Sequence, residues 1–330
     1  MKNDVIHPRV WQLLNLLADG EFHSGEVLAA QLKVSRASVF NALARVAEYG
    51  IAMQRIRGRG YRLTRLWQRL DSQEVARCLG KDASKFDIEI LAHATSSNTV
   101  LLQRAALGAR SGTVLAVELQ TAGRGRLGRN WYSGLGSALT FSLLWRFNCG
   151  LNALSGLSLA VGVALVRALN KLDAQGIKLK WPNDILTEKG KLAGVLIEAQ
   201  GDLLGPSSVV IGIGLNYSMP SSELAQKIDQ PVDALDGTCA VIPTRNQLLA
   251  VLLQELAVIL HEFTQNGFAA LREEWEQHYV YRHKWIQLHL PDGQTVNGIS
   301  RGITNNGELC LETSHGVRSF SAGEVGVLPL

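Results

Sequence analysis

The run Gly123-Arg124-Gly125-Arg126-Leu127-Gly128-Arg129 constrains this 330-residue chain more than any other stretch. Three glycines in seven residues disfavour a helix or strand interior, and three permanently charged arginines exclude burial in an apolar core. The segment must therefore be a loop between elements, and its guanidinium forks suit carboxylates and phosphates. The string also matches G-x-G-x-x-G after a strand-like stretch, Val114–Gln120. The dinucleotide version of that motif, however, needs a helix directly afterwards and an acidic residue about 20 positions on. Asn130-Trp131-Tyr132-Ser133-Gly134 is a poor helix start, and Leu143 to Arg146 occupy the acidic position. The lysine–serine pair of a phosphate loop is missing as well. What remains is a cationic loop that closes over some other anion.

With 46% hydrophobic and 19% charged residues, the chain reads as a globular protein of two or three domains. Its start is not of secretory type, and Gln254 and Glu255 interrupt the apolar stretch Val251–Leu260, so no membrane span is expected. Cys78, Cys149, Cys239 and Cys310 are widely separated, which argues against a disulfide framework or zinc site and for the cytoplasm. Through Arg69 there are 11 Lys/Arg against 5 Asp/Glu, leaving 22 against 24 for the rest. The net charge of +4 thus belongs to the N-terminal segment, which points there to a polyanionic partner.

That segment reads as three helices and a β wing. Trp11, Leu14 and Leu17 share a helical face; Ser24 can cap a helix over Gly25–Leu32, and Ser35 a third helix running to Tyr49 before Gly50. Two short strands, Ile51–Arg57 and Gly60–Leu63, follow around Gly58-Arg59-Gly60. In such a helix-turn-helix, Arg36, Ser38, Asn41 and Arg45 would meet base edges in the major groove. The arginines at 55, 57, 59, 62, 65 and 69, with Arg57 and Arg59 at the wing tip, would run along phosphates. Phe40 and Ala44 on the same face offer no hydrogen bonds to bases, and a protein-interaction module is the competing reading. A connecting segment follows, in which Asp71 or Ser72 caps a short helix.

From Asp87 to about Phe268, strand-like and helix-like stretches alternate irregularly, which predicts a mixed sheet with helices packed on it. Strands are expected at Ile88–Leu91, Val114–Gln120, Leu139–Leu144, Ile177–Lys180, Ala193–Glu198 and Ser208–Ile213. Helices are expected at Asn98–Leu107, Ala153–Leu172 and Arg245–Thr264. Four clusters punctuate this pattern. Thr95-Ser96-Ser97-Asn98 places hydroxyls at a helix start, Lys180-Trp181-Pro182-Asn183-Asp184 precedes a hairpin, and Lys191-Leu192-Ala193-Gly194 opens its next strand. Gly212-Ile213-Gly214-Leu215-Asn216 lets a backbone approach a neighbour closely at a strand end. Beyond Lys284, turns at Pro291-Asp292-Gly293, Asn305-Asn306-Gly307 and His315-Gly316 separate short antiparallel strands.

Taken in order, these clusters resemble the bifunctional biotin–protein ligase and biotin operon repressor family, and the resemblance spans nearly the whole chain. It implies an α+β protein with a winged helix-turn-helix (1–66), a linker (67–86), a mixed-sheet catalytic domain of the biotin/lipoate ligase type (87–280) and an SH3-like C-terminal barrel (281–330). It implies biotin and ATP as substrates with Mg²⁺, and formation of biotinyl-5′-AMP. The acyl group would then pass to a lysine of the biotin carboxyl-carrier protein of acetyl-CoA carboxylase. A homodimer bound to operator DNA when loaded with adenylate is implied too. By resemblance, Ser96, Ser97, Asn98, Gln120, Gly123, Arg124, Gly125, Arg126, Lys191, Gly194 and Gly212 form the biotin site. Arg126, Arg129, Trp131, Asn183, Asn216 and Arg301 face the nucleotide, and Arg126, Lys191 and Asp184 are catalytic.

The chain departs from the family pattern at three places. Thr95 stands where an aspartate is typical, Leu127 where arginine is common and Asn130 where lysine is frequent. These changes put adenylate retention and loop ordering in question but leave the central charges in place. A lipoate or octanoate ligase and a ligand-sensing repressor without catalysis are the alternatives.

Overall fold

The computed structural model describes residues 6–46, 49, 51–64 and 66–326. Its first unit comprises α1 (Pro8–Leu16), α2 (Gly25–Leu32), α3 (Arg36–Val46), β1 (Met53–Ile56) and β2 (Gly60–Leu63). Ser24 caps α2 by accepting from the Val27 amide at 3.2 Å, and Ser35 accepts from the Ser38 amide at 3.2 Å. Val39, Leu43 and Val46 point inward from α3 onto Val10, Leu13, Leu14 and Leu28, as helical spacing requires. Of the expected continuation of α3 to Tyr49, residues 47 and 48 lie outside the described residues, as does Arg65 of the arginine series.

Residues 67–86 are not a loose tether. Asp71 caps α4 (Ser72–Leu79) by accepting from the amides of Gln73 and Glu74, both at 2.9 Å. Leu70, Val75 and Leu79 enter the main core.

The central unit contains β3 (Asp87–Ala94), α5 (Ser97–Ala106), β4 (Thr113–Gln120), β5 (Gly123–Arg124), β6 (Asn130–Trp131), β7 (Ala138–Phe147) and α6 (Leu157–Lys171). It continues through β8 (Lys178–Lys180), β9 (Asp184–Leu186), β10 (Lys191–Gly201), β11 (Ser207–Asn216), α7 (Ser222–Ala225), α8 (Arg245–Asn266) and α9 (Arg272–His278). Seven strands form one sheet in the order β3-β4-β7-β11-β10-β9-β8; β3–β4 is parallel and the other pairs are antiparallel. Alternation divides β4 between two cores. Val114 and Ala116 pack in the core shared with α6 and α8, whereas Leu115 and Val117 pack with Leu101 and Ala105 of α5. A Thr244–Gln247 capping box starts α8. That helix is long and apolar enough by composition to span a membrane, yet it is a core helix, with Leu248, Leu252, Leu256 and Ile259 buried and a second face carrying Gln247, Val258 and His261 exposed.

One buried ion pair ties these parts together. Arg245, fully buried, lies 2.5 Å from Glu118 and also donates to the carbonyls of Gln68 at 3.0 Å and Ala138 at 2.9 Å. Glu118 in turn accepts from the Leu70 amide at 2.6 Å and the Trp67 indole at 3.2 Å. A buried charge pair is tolerable only when most of its remaining hydrogen-bonding capacity is met. Gln68, Leu70, Trp67 and Ala138 meet most of it here, and Arg245 Nε alone of the guanidinium nitrogens has no hydrogen-bond partner among the described residues.

The C-terminal unit has β12 (Trp285–His289), β13 (Thr295–Ile303), β14 (Leu309–Thr313), β15 (Gly316–Phe320) and β16 (Glu324–Gly326), all antiparallel. The expected turns lie between these strands. Among the described residues the sheet order β15-β14-β13-β12-β16 leaves both ends unpaired, so the expected closed barrel is an open sheet here. Ile286, Leu288, Leu309 and Leu311 join the main core, and β16 carries Glu324 to the edge of the central cleft.

Candidate functional site

One cleft gathers most of the singled-out residues, and its floor is built from β10, β11 and the start of α5. A Cβ on Gly212 would lie 2.2 Å from Asn98 Oδ1, and one on Gly214 would lie 2.3 Å from the Trp131 ring. Both glycines are therefore imposed by close approach rather than by turn geometry. Asn98 is buried and held at both ends of its amide: Nδ2 donates to Leu196 O at 3.2 Å and Glu198 at 2.9 Å, and Oδ1 lies 2.6 Å from Ser142 Oγ, which leaves one Oδ1 lone pair for a ligand. Ser142 Oγ is also 2.7 Å from Ser97 Oγ. With a single proton, Ser142 donates to the amide oxygen and accepts from Ser97. Gln120 accepts from the Ser97 amide at 2.7 Å. The result is a pre-oriented set of amide and hydroxyl groups at the end of an apolar sheet.

Charge lines the rest of the cleft. Lys191 Nζ is 2.6 Å from Asp184 Oδ1, a close ion pair whose angles fall short of a well-formed hydrogen bond. Arg126 donates to Asn183 Oδ1 at 3.4 Å, a long contact, while Asn183 Nδ2 donates to Val195 O at 2.8 Å. Burial pushes the Arg126 guanidinium below its usual value, opposed by Glu324 and Asp184. Burial likewise pushes the Lys180 amine down, with Asp184 and Glu324 opposing and Lys191 and Arg129 adding to the fall. Four cations thus surround two carboxylates, an arrangement that favours an incoming anion. Arg124 pairs with Glu198 at 2.8 Å, and Arg129 pairs with Glu324 of the C-terminal unit.

The Gly/Arg run itself is a small hairpin, with Gly123 opposite Trp131 and Arg124 opposite Asn130. Leu127, at its tip, has φ 54° and is exposed. Ser96, Ser97, Asn98, Gln120, Arg124, Gly125, Arg126, Lys191, Gly194 and Gly212 all line the cleft, as do Arg129, Trp131, Asn183 and Asp184.

Three expected residues lie elsewhere. Gly123 is behind the lining, against the Trp131 carbonyl. Asn216 braces the site from outside, donating to the carbonyls of Lys191 at 3.0 Å and Asp233 at 3.1 Å. Arg301 is paired with Glu312 on the C-terminal sheet rather than in the cleft. Residues not anticipated include Glu198, Ser142, Glu324 and, as a charge near the cleft, Lys180. Glu198 was within reach of the sequence, because it shares the strand face of Gly194 and Leu196. Ser142 was not, since its place depends on register with Gly212.

On the N-terminal unit, Asn41, Arg45, Arg57 and Arg59 are exposed, and Ser38 is half-buried against Ser35. Arg36 is engaged by Glu26 at 2.7 Å.

Residues 91–216 match the biotin/lipoate A/B protein ligase family, 286–327 the biotin protein ligase C terminal domain and 9–62 an HTH domain. The chain is 34% identical to the bifunctional ligase/repressor BirA of Escherichia coli over 317 residues, 96% of each chain. It is also 34% identical to the biotin–[acetyl-CoA-carboxylase] ligase of Mycobacterium tuberculosis over 252 residues, covering 75% of this chain and 91% of that one. A biotin protein ligase from Aquifex aeolicus, solved in complex with biotin and ATP, superposes with a TM-score of 0.61 at 26% identity. That match covers 73% of this chain and 97% of the other.

Proposed function

Because the chain belongs to the family of bifunctional biotin–protein ligases and repressors, we propose that the cleft between Asn98 and Lys191 is where biotin is activated with ATP. The protein is a biotin ligase with biotin and ATP as substrates, and its helix-turn-helix serves a repressor role.

In the first step a biotin carboxylate oxygen attacks the α-phosphorus of ATP, and pyrophosphate leaves. Two anions must be brought together, so fixed cations lower the barrier. Arg126 and Lys191 supply them, and Arg129 adds charge on the nucleotide side. Asn98, Ser97 and Gln120 read the ureido ring, Asn183 and Trp131 hold the nucleotide, and Asn216 positions Lys191 through its backbone. Asp184 and Glu324 would offer hard oxygen donors to the Mg²⁺ that accompanies ATP, which would supply charge neutralisation on phosphate. In the second step a carrier lysine attacks the acyl carbon and AMP leaves, with Asp184 orienting the amine. The observation that carries this reading is the Lys191–Asp184 pair at 2.6 Å, set beside Arg126 and the Asn98–Ser142–Ser97 network.

The acceptor is the biotin carrier of acetyl-CoA carboxylase, in line with the mycobacterial relative's being a biotin–[acetyl-CoA-carboxylase] ligase. Adenylate binding stabilises a homodimer on operator DNA. The chain divides at 1–66, 67–86, 87–280 and 281–330, which accords with the three matched segments. The five C-terminal strands are an open version of the SH3-like type, and the register shift between Ser300 and Gly302 is where such a sheet would bend. Four free cysteines fit a cytoplasmic location.

Biotin-dependent ATP–pyrophosphate exchange, followed by addition of a carrier domain, tests the reading; exchange supported by lipoate instead would overturn it. Sedimentation with and without biotin and ATP tests the dimer, and unchanged self-association refutes it.

A further inference from the structure

The outward face of α3 is unusual for a DNA reader. Phe40 is 53% exposed at its centre, flanked by the exposed Ala37 and Ala44. The ring stands on the α3 face that turns away from the helical core, and among the described residues only the wing approaches it. The wing holds this ring in place. Arg55 of β1 sits 5.9 Å from the Phe40 ring centroid and 5.6 Å from that of Tyr61, its cross-strand partner on β2. Arg55 has no carboxylate partner among the described residues, so its charge stays available while its direction is fixed by two rings. Arg36 is the reverse case, an arginine already matched by Glu26. Base reading therefore shifts from the charged start of α3 to its apolar middle.

Building on the DNA-binding reading above, we propose that Phe40 is a sequence-reading side chain. Its ring presses on the C5-methyl group of a thymine in the major groove, and Arg55 contacts the adjoining phosphate. The thymine methyl is the one apolar feature that a base pair presents in that groove. Phe40 is matched to it, and a hydrogen-bonding side chain would not be.

The test starts with the full-length protein, biotin and ATP, and a random-sequence duplex pool. In the enriched duplex, each thymine of a half-site is then replaced singly by deoxyuridine, which lacks only the methyl group. One position per half-site is expected to lose roughly fivefold in affinity, the low end for a lost base contact. Phe40→Ala should be insensitive at that position and should enrich a pool relaxed there, while Phe40→Leu keeps part of the preference. Arg55→Gln should reduce the slope of log affinity against log salt by about one, with the sequence preference unchanged. Because Phe40 is exposed, circular dichroism of each variant should match the parent. The proposal is overturned if no thymine is sensitive, or if Phe40→Ala keeps the same sensitivity. Failure of the parent protein to enrich any sequence overturns the DNA-binding reading itself, and this proposal with it.

Discussion

Replacing Gly212 with alanine tests the cleft floor most directly. The added methyl would lie 2.2 Å from Asn98 Oδ1, 2.8 Å from Cγ and 2.9 Å from Nδ2, all well inside van der Waals contact. Gly212 does not have a positive φ, so the backbone accepts alanine and the conflict is steric alone. Asn98 cannot step aside freely, because Ser142, Leu196 and Glu198 hold its amide. Overpacking of this kind costs about 1–3 kcal/mol, and relief comes from pushing the amide toward the ligand space. The biotin Kd should accordingly rise roughly 5- to 150-fold, read by calorimetry on folded protein. Gly125→Ala is the control in the same cleft, since its nearest neighbour would be 3.6 Å away, an ordinary contact; its loss should be far smaller. A Gly212→Ala Kd within about twofold of the parent would refute the claim that Asn98 is rigidly held.

Three further outcomes follow from the same geometry. Glu118→Gln leaves the buried Arg245 charge unmatched and should cost about 3–5 kcal/mol. A thermal melt should fall by on the order of 10 °C, and an unchanged melt would argue against the pair as a source of stability. Arg126→Gly should speed release of biotinyl-adenylate by roughly 10- to 150-fold, with a smaller effect on its formation, because a charged contact is lost after closure. A chase with unlabelled biotin and ATP measures this, and an unchanged release rate removes Arg126 as a clamp. Burial holds the Tyr279 phenol far above its ordinary range, with Ser300 Oγ donating to it at 3.0 Å. The folded state keeps that proton while the unfolded chain releases it near about pH 10, so stability declines as pH rises past that point. Tyr279→Phe should flatten the decline in urea melts at about pH 8 and about pH 11, and an unaltered slope would show that other groups cause it.

Local chemistry was legible wherever a side chain acts on its own chain neighbours. Ser24, Ser35 and Asp71 cap the helices expected of them, and Gly25–Leu32 and Gly60–Leu63 have the anticipated bounds. The 3.6-residue period located the core face of α3, and the period of two located the strands that carry the cleft. What escaped depends on contacts between distant segments. Asn216 looks from the sequence like a nucleotide ligand, but the register of β10 and β11 turns it to the Lys191 carbonyl. Glu324 is an ordinary surface acid until β16 pairs with β12 and carries it to Arg129. Residues 67–86 look like a tether because their polar composition hides the receiving partners, Glu118, Arg245 and Asn246, which lie tens to hundreds of positions away.

The way the N-terminal unit is attached follows from three consecutive residues of β4. Glu118 accepts hydrogen bonds from Trp67 and Leu70, just after the wing. Leu119 is buried in the same apolar cluster as Leu13, Leu28 and Val39 of the helix-turn-helix. Gln120 accepts from the Ser97 amide in the cleft. Pairing with β7 ends at Val117, but β3 stays in register as far as Gln120, so this end of β4 is still held along one edge. The helix-turn-helix is thus mounted on the strand that ends at the cleft. The residues that hold it lie within two positions of Gln120, which lines that cleft. Coupling between two sites requires an element that both of them bias, and β4 is the element that touches both the helix-turn-helix cluster and the cleft.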